Sequence, residues 1–121
     1  MKTMQSFLIF LYILDQGYNQ CKNDDLGGFL GAISPEMWED GQSADKAVLN
    51  DWEKISNPET VDMKNIIERA YTFLGCYEQE FGYDFSETKQ WIWETADKTI
   101  VEKAYDEAQL MYQKFQYAKL V

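Results

Sequence analysis

Apolar residues recur along this chain with the spacing of α-helices rather than of β-strands. Steps of four and three residues keep side chains on one face, because an α-helix turns once every 3.6 residues. The spacing predicts a first helix over residues 3–22, a second from about residue 57 to 81, and a third near the C-terminus. The three apolar stripes are Phe7, Leu11, Leu14, Tyr18 and Cys21; Met63, Ile67, Ala70, Leu74, Tyr77 and Phe81; and Val101, Tyr105, Ala108, Tyr112 and Phe115.

Residues that favour helix starts refine these boundaries. Asn57 and Pro58 suit the start of the second helix, because asparagine caps free amides and proline fits the first turn. Asp84 and Glu87 have the spacing of a capping box, with aspartate in place of serine or threonine. That spacing predicts a further helix starting near residue 84.

This further helix contains Trp91 and Trp93, which cannot both face the same side of a helix. One of the two is therefore expected to be exposed or to lie at a helix junction. No stretch of strand-like alternation interrupts the helical pattern. The sequence predicts an all-α fold, in which residues 1–121 form a compact single-domain bundle of three long amphipathic helices and several short ones.

The short helices are expected in the connection between the first two long ones. Asp24 is a candidate cap for a helix that ends at Gly31, and Ser34 is a candidate start for one or two turns around Trp38. Ser43 is a candidate cap for a helix over residues 44–55. Asp40 and Gly41 form a turn signal between these elements.

Charge is distributed unevenly along the chain. The net charge is −10, and residues 24–62, here called the acidic segment, contribute −8 of it through ten carboxylates and two lysines. Such a field attracts cationic partners and accelerates their association. It disfavours direct binding to nucleic acid or to anionic lipid, which both require a basic surface. The expected partner is therefore a basic protein.

The apolar run at residues 7–14 resembles the core of a signal peptide, but it ends at Asp15 and no cleavage site of small residues follows. It is also too short to span a bilayer, so a helix of the folded domain explains it better. Cys21 and Cys76 have no metal-ligand spacing and are read as reduced, partly buried thiols. Together these features predict a cytoplasmic protein without a membrane segment.

Enzymatic chemistry finds little support in the sequence. The chain has no histidine, which rules out serine–histidine and cysteine–histidine nucleophilic sites. Its paired carboxylates lack the spacing of a calcium loop, and Gly27, Gly28 and Gly31 lack the lysine of a phosphate loop. Those glycines are read as permitting a tight turn and close helix packing. We therefore expect no catalytic residues, no bound metal and no cofactor.

Two tryptophans lie inside the acidic segment. An aromatic side chain framed by carboxylates is typical of a protein–protein contact that receives lysine or arginine. Trp52 is in phase with Val48 and Ile55, so a core position explains it better, whereas Trp38 lies in a shorter and more polar stretch. The predicted contact set consists of Asp24, Asp25, Glu36, Trp38, Glu39, Asp40, Asp45 and Asp51.

A longer pattern resembles a known class of proteins. It consists of YNQCKNDDLGGFLGAIS at residues 18–34, followed by Asp40-Gly41, Ala44-Asp45 and Asn50-Asp51-Trp52. This pattern is similar to that of small acidic bacterial immunity proteins, the partners of polymorphic toxins that include contact-dependent growth inhibition systems. The resemblance implies a cytoplasmic protein that binds its cognate toxin domain tightly and blocks the active site or a neighbouring surface. It transfers no catalytic residue.

Many such toxins are nucleases, whose substrate grooves are basic. An acidic segment would complement such a groove. Two alternatives remain open: an acidic adaptor or nucleic-acid mimic that binds other basic proteins, and a carboxylate- or metal-dependent enzyme.

Overall fold

The computed structural model describes residues 1–33 and 46–120, with side chains as far as residue 116. All regular structure in this described part of the chain is helical, so the all-α prediction is confirmed. A short 3₁₀ turn, Pro58–Thr60, lies between the third and fourth α-helices. The α-helices are α1 (Thr3–Cys21), α2 (Asp24–Ile33), α3 (Lys46–Ser56), α4 (Ile66–Phe81), α5 (Ser86–Thr95) and α6 (Lys98–Leu120).

Helix α1 contacts each of the other described helices. Its apolar side chains are buried on every side rather than along one stripe, since Leu8, Ile9, Phe10 and Ile13 are as inaccessible as the predicted Phe7. A helix that is hydrophobic all round is stable in water only when other elements surround it. The run that resembled a signal sequence is thus the centre of the core. Within residues 1–33 and 46–120, no helix is long and apolar enough to cross a membrane.

Helix α6 packs along α1, and the Gln16 side-chain amide donates a hydrogen bond to the Ile100 carbonyl oxygen over 3.0 Å. The predicted stripe on α6 is correct except at Tyr105, which is 38% exposed. Ala104 is buried in its place. On an α-helix, both the third and the fourth residue after Val101 lie on the same face as Val101.

The predicted start of the second long helix is wrong. Asn57 has a left-handed backbone (φ 50°), and Pro58 opens only the 3₁₀ turn. Helix α4 begins at Ile66 instead. The Asp62 carboxylate accepts hydrogen bonds from the backbone N–H groups of Lys64 (2.8 Å) and Asn65 (2.9 Å), which forms a separate turn before the helix. These hydrogen bonds, the one from Asn65 foremost, hold the pKa of Asp62 below its usual value.

The short elements also differ in part from expectation. Asn23 rather than Asp24 caps α2, since its Oδ1 accepts the Leu26 N–H over 2.9 Å. Gly31 does not end α2, which continues to Ile33. Helix α3 covers most of the predicted residues 44–55. The predicted helix start at Ser34, the turn at residues 40–41 and the cap at Ser43 lie outside the described residues.

Aromatic rings join α1, α3 and α4. The Trp52 ring stacks on Phe10, with 4.6 Å between centroids, and meets the edge of Phe73 at 5.6 Å. The Trp52 indole N–H donates a hydrogen bond to Ser6 Oγ over 2.9 Å, and Ser6 Oγ donates to the Thr3 carbonyl oxygen over 3.0 Å. Trp52 is fully buried, so the structure selects the core position for it.

Candidate functional site

Three residues of the predicted contact set lie in the described part of the chain. Asp24 and Asp25 form the first turn of α2, and Asp51 lies on α3. Asp24 is exposed, whereas Asp25 and Asp51 are half-buried. The other five residues of the set lie outside the described residues: Glu36, Trp38, Glu39, Asp40 and Asp45.

The position of Asp24 and Asp25 follows from helix electrostatics. The first turn of an α-helix presents free N–H groups and the positive end of the helix dipole, which stabilise carboxylates. Asp25 has a further role, because its Oδ2 accepts the backbone N–H of Asp84 over 2.7 Å. Asp25 therefore ties α2 to the connection that precedes α5.

This bond revises the predicted capping box at the start of α5. The Asp84 N–H, which a capping-box Glu87 would have bound, is bound by Asp25 instead. The helix begins at Ser86, whose side-chain hydroxyl (2.6 Å) and backbone N–H (3.1 Å) both donate to Asp84 Oδ1. These two hydrogen bonds hold the pKa of Asp84 below its usual value, and the bond from the Ser86 hydroxyl has the larger effect. The predicted start of this helix is correct to within two residues, but the predicted hydrogen bond between Glu87 and the Asp84 N–H is not formed.

Asp84 lies beside the first turn of α2 through its bond to Asp25, and Glu87 lies in the first turn of α5. Burial, and then the charge of Glu87, raise the pKa of the Cys21 thiol at the end of α1. We call Asp24, Asp25, Asp84 and Glu87 the acidic end. Sequence reasoning missed the last two, since they are remote from the acidic segment in the chain. Both Cys21 and Cys76 are free and half-buried, as predicted.

Asp51 has a different environment. Its Oδ2 accepts a hydrogen bond of 2.7 Å from the Tyr77 hydroxyl, so this carboxylate is fixed against α4. It lies in the wall of a mainly apolar cleft of about 220 Å³ between α2, α3 and the end of α4. Described residues that line the cleft include Phe29, Ala32, Ala47, Val48, Asp51, Tyr77, Phe81 and Tyr83.

The side chains of the described residues include no group of three or more histidine, cysteine, aspartate or glutamate residues that could hold a metal ion. Comparison of the chain with protein-family models, with curated proteins and with solved structures gives no match.

Proposed function

We propose that this protein is a non-enzymatic immunity protein that binds a cognate toxin domain in the cytoplasm and neutralises it. The observation that carries the proposal is the concentration of charge, with −8 of the net −10 in residues 24–62. A basic toxin, such as a nuclease with a phosphate-binding groove, has the complementary potential. The resemblance of residues 18–52 to small acidic immunity proteins supplies the particular role.

The acidic end supports the proposal by extending the negative surface beyond the acidic segment. Asp84 and Glu87 add two carboxylates from a distant part of the chain to Asp24 and Asp25. We further expect residues 1–121 to fold as one compact bundle of three long helices, α1, α4 and α6, with the acidic segment as an insertion. Of the three, α4 and α6 are the amphipathic ones, since α1 is buried on every side.

The same charge supports a second candidate function, an acidic adaptor or nucleic-acid mimic. A mimic recognises the general basic character of its partners, so it should bind many of them weakly. An immunity protein should bind one partner tightly, through apolar contacts and charge pairs that are matched to it.

The first experiment separates these two functions. Tagged protein is used to capture partners from the source bacterium, and the complex is washed at rising salt before mass spectrometry. A single basic toxin fragment that survives high salt supports the immunity function. Many basic proteins that wash off together support the mimic, because screened charge alone holds them.

The second experiment tests the acidic segment against the captured partner. Glu39→Lys combined with Asp40→Lys should lower the association rate by about tenfold or more at low salt, because long-range attraction accelerates encounter. The control combines Glu102→Lys with Asp106→Lys, two exposed positions on α6 that give the same change in net charge. Equal association rates for wild type and the first variant, with no dependence on salt, would exclude the acidic segment as the interface.

The structure also guides the choice of substitutions at described positions. Asp24→Lys reverses an exposed charge, whereas Asp25 and Asp51 accept internal hydrogen bonds. Asn at positions 25 and 51 removes the charge and retains an acceptor oxygen, so binding can be tested without breaking these bonds.

A further inference from the structure

An aromatic cleft lies on α4 and α5, built from residues that the predicted contact set does not include. Trp93 is 65% exposed, and its ring lies against Tyr71 with 5.2 Å between centroids. Both rings line a cleft of about 350 Å³. The remaining lining residues are Ser86, Lys89, Gln90 and Glu94. Tryptophan is the side chain most often found at the energetic centre of a protein interface, so an exposed one in a cleft is informative.

The cleft carries an excess of negative charge. Lys89 is the only cation among the described residues of its lining, and its Nζ lies 2.8 Å from Glu78 Oε1 and 4.9 Å from the Tyr71 ring centroid. Its positive charge is therefore engaged by groups of this protein. Two further carboxylates flank the cleft: Glu94 in its lining, and Asp84 through its bond to Ser86. Three carboxylates and one ammonium leave a local excess of two negative charges.

The contacts of Glu78 hold this cleft in place. Its Oε1 accepts from Lys89 on α5, and its Oε2 accepts the Phe85 N–H over 2.9 Å. The pair is about four-fifths buried, so solvent screens it less than a fully exposed ion pair. Because α4 and α5 are tied together at this point, Tyr71 and Trp93 are positioned before any partner arrives. A preformed surface loses little conformational entropy on binding.

We infer that the Tyr71–Trp93 cleft is a contact surface for an arginine-bearing segment of a basic protein. A guanidinium group is planar and weakly hydrated, so it can stack on the Trp93 indole while it pairs with Glu94. A second copy of this chain fits the cleft poorly, because each copy carries a net charge of −10. The inference deepens the proposed function, on which it rests only for the identity of the partner.

The first test needs no toxin. Protein labelled with ¹⁵N is titrated with the capped peptide Gly-Arg-Gly-Arg-Gly, and the indole N–H signals are followed by NMR, with Trp93→Phe assigning the Trp93 signal. The Trp93 signal should shift saturably while that of the buried Trp52 does not. Glu94→Gln should weaken the binding by about twofold to fivefold, and 1 M salt should weaken it further.

A peptide with glutamine in place of both arginines is the control. The inference is wrong if the Trp93 signal stays in place, or if it moves equally with the glutamine peptide. It is also wrong if the protein alone dimerises with rising concentration and Trp93→Ala abolishes the dimer, since a second copy would then occupy the cleft.

The second test uses the captured toxin and a matched pair of substitutions. Trp93→Ala should weaken toxin binding by about tenfold or more, as truncation of an interface anchor does. Leu110→Ala is the control, since Leu110 is 64% exposed on α6, and it should leave the affinity unchanged.

The two tests separate failure of this inference from failure of the proposed function. If the arginine peptide binds at Trp93 but the capture experiment recovers many weakly bound proteins, the cleft is supported as a contact surface and the immunity function is excluded. A tightly bound toxin that tolerates Trp93→Ala, together with no response to the peptide, removes the cleft and leaves the immunity function in place.

Discussion

Trp52 and Trp93 each precede a glutamate in the sequence, yet they occupy opposite environments. Trp52 is fully buried between α1 and α4, whereas Trp93 is 65% exposed on α5. The difference lies in the phase of each helix and in what packs against it, not in the neighbouring charges. Charged neighbours therefore do not identify an interface tryptophan, because residues adjacent in a helix point in different directions.

The polar ends of the two indoles differ in the same way. A buried indole N–H needs an acceptor, and Trp52 finds it in Ser6 on α1. Solvent can serve the exposed indole of Trp93. The environment of Trp52 is that of a residue that stabilises the fold, and that of Trp93 suits a residue that contacts a partner.

The largest expected difference follows from truncating each ring. Trp52→Ala should lower the free energy of unfolding by about 3–5 kcal/mol, because it leaves a large cavity among aromatic rings. Trp93→Ala should change it by less than about 0.5 kcal/mol, as is usual at exposed sites. Urea denaturation of both variants measures the two changes in the free energy of unfolding. Similar losses for both variants would show that the two tryptophans do not differ in their contribution to stability.

Removing the acceptor of the buried indole should have a smaller effect. Ser6→Ala leaves the Trp52 N–H buried without its partner, which should cost about 1–3 kcal/mol of unfolding free energy. In a Trp52→Phe background the same substitution should cost less, because no indole donor remains. A double-mutant cycle by urea denaturation gives the coupling between them, and strictly additive losses would contradict the bond.

The smallest effects concern Trp91, the half-buried tryptophan on the same helix as Trp93. A Cβ atom at Gly17 would lie 3.0 Å from the Trp91 ring, which would have to shift, so Gly17→Ala should forfeit the gain of about 0.5–1 kcal/mol that alanine otherwise brings to a helix. The control is Gly28→Ala in α2, where a Cβ would meet open space, and it should stabilise the fold by about 0.5–1 kcal/mol. Thermal unfolding compares the two, and equal shifts in Tm would refute the Gly17–Trp91 contact.

Local periodicity is sufficient to predict the all-α class and the positions of α1 and α6, while the spacing of Asp84 and Glu87 places α5 to within two residues. It placed most of the buried face of α6 correctly, because helix phase is encoded within a few neighbouring residues. The glycines of α2 lie within the helix, so the predicted tight turn is wrong, whereas the predicted close helix packing is confirmed at Gly27, which packs beside the Tyr18 ring of α1. Local signals describe such positions poorly, because tertiary packing overrides propensity.

The candidate site was harder to predict, for a related reason. The bond between Asp84 and Asp25 joins residues 59 positions apart, and the pairing of Glu78 with Lys89 joins two helices. No periodic pattern encodes such contacts. Counting charge along the sequence therefore located Asp24 and Asp25 but assigned them only to a partner, while Asp84, Glu87 and the Tyr71–Trp93 cleft were missed.

The packing of α6 on α1 has a consequence for synthesis on the ribosome. The hydrogen bond from Gln16 to Ile100 spans 84 positions, and α6 packs along α1. A nascent chain cannot complete this packing until α6 has been synthesised. Until then, part of the apolar surface of residues 7–14 is open to chaperones and to aggregation.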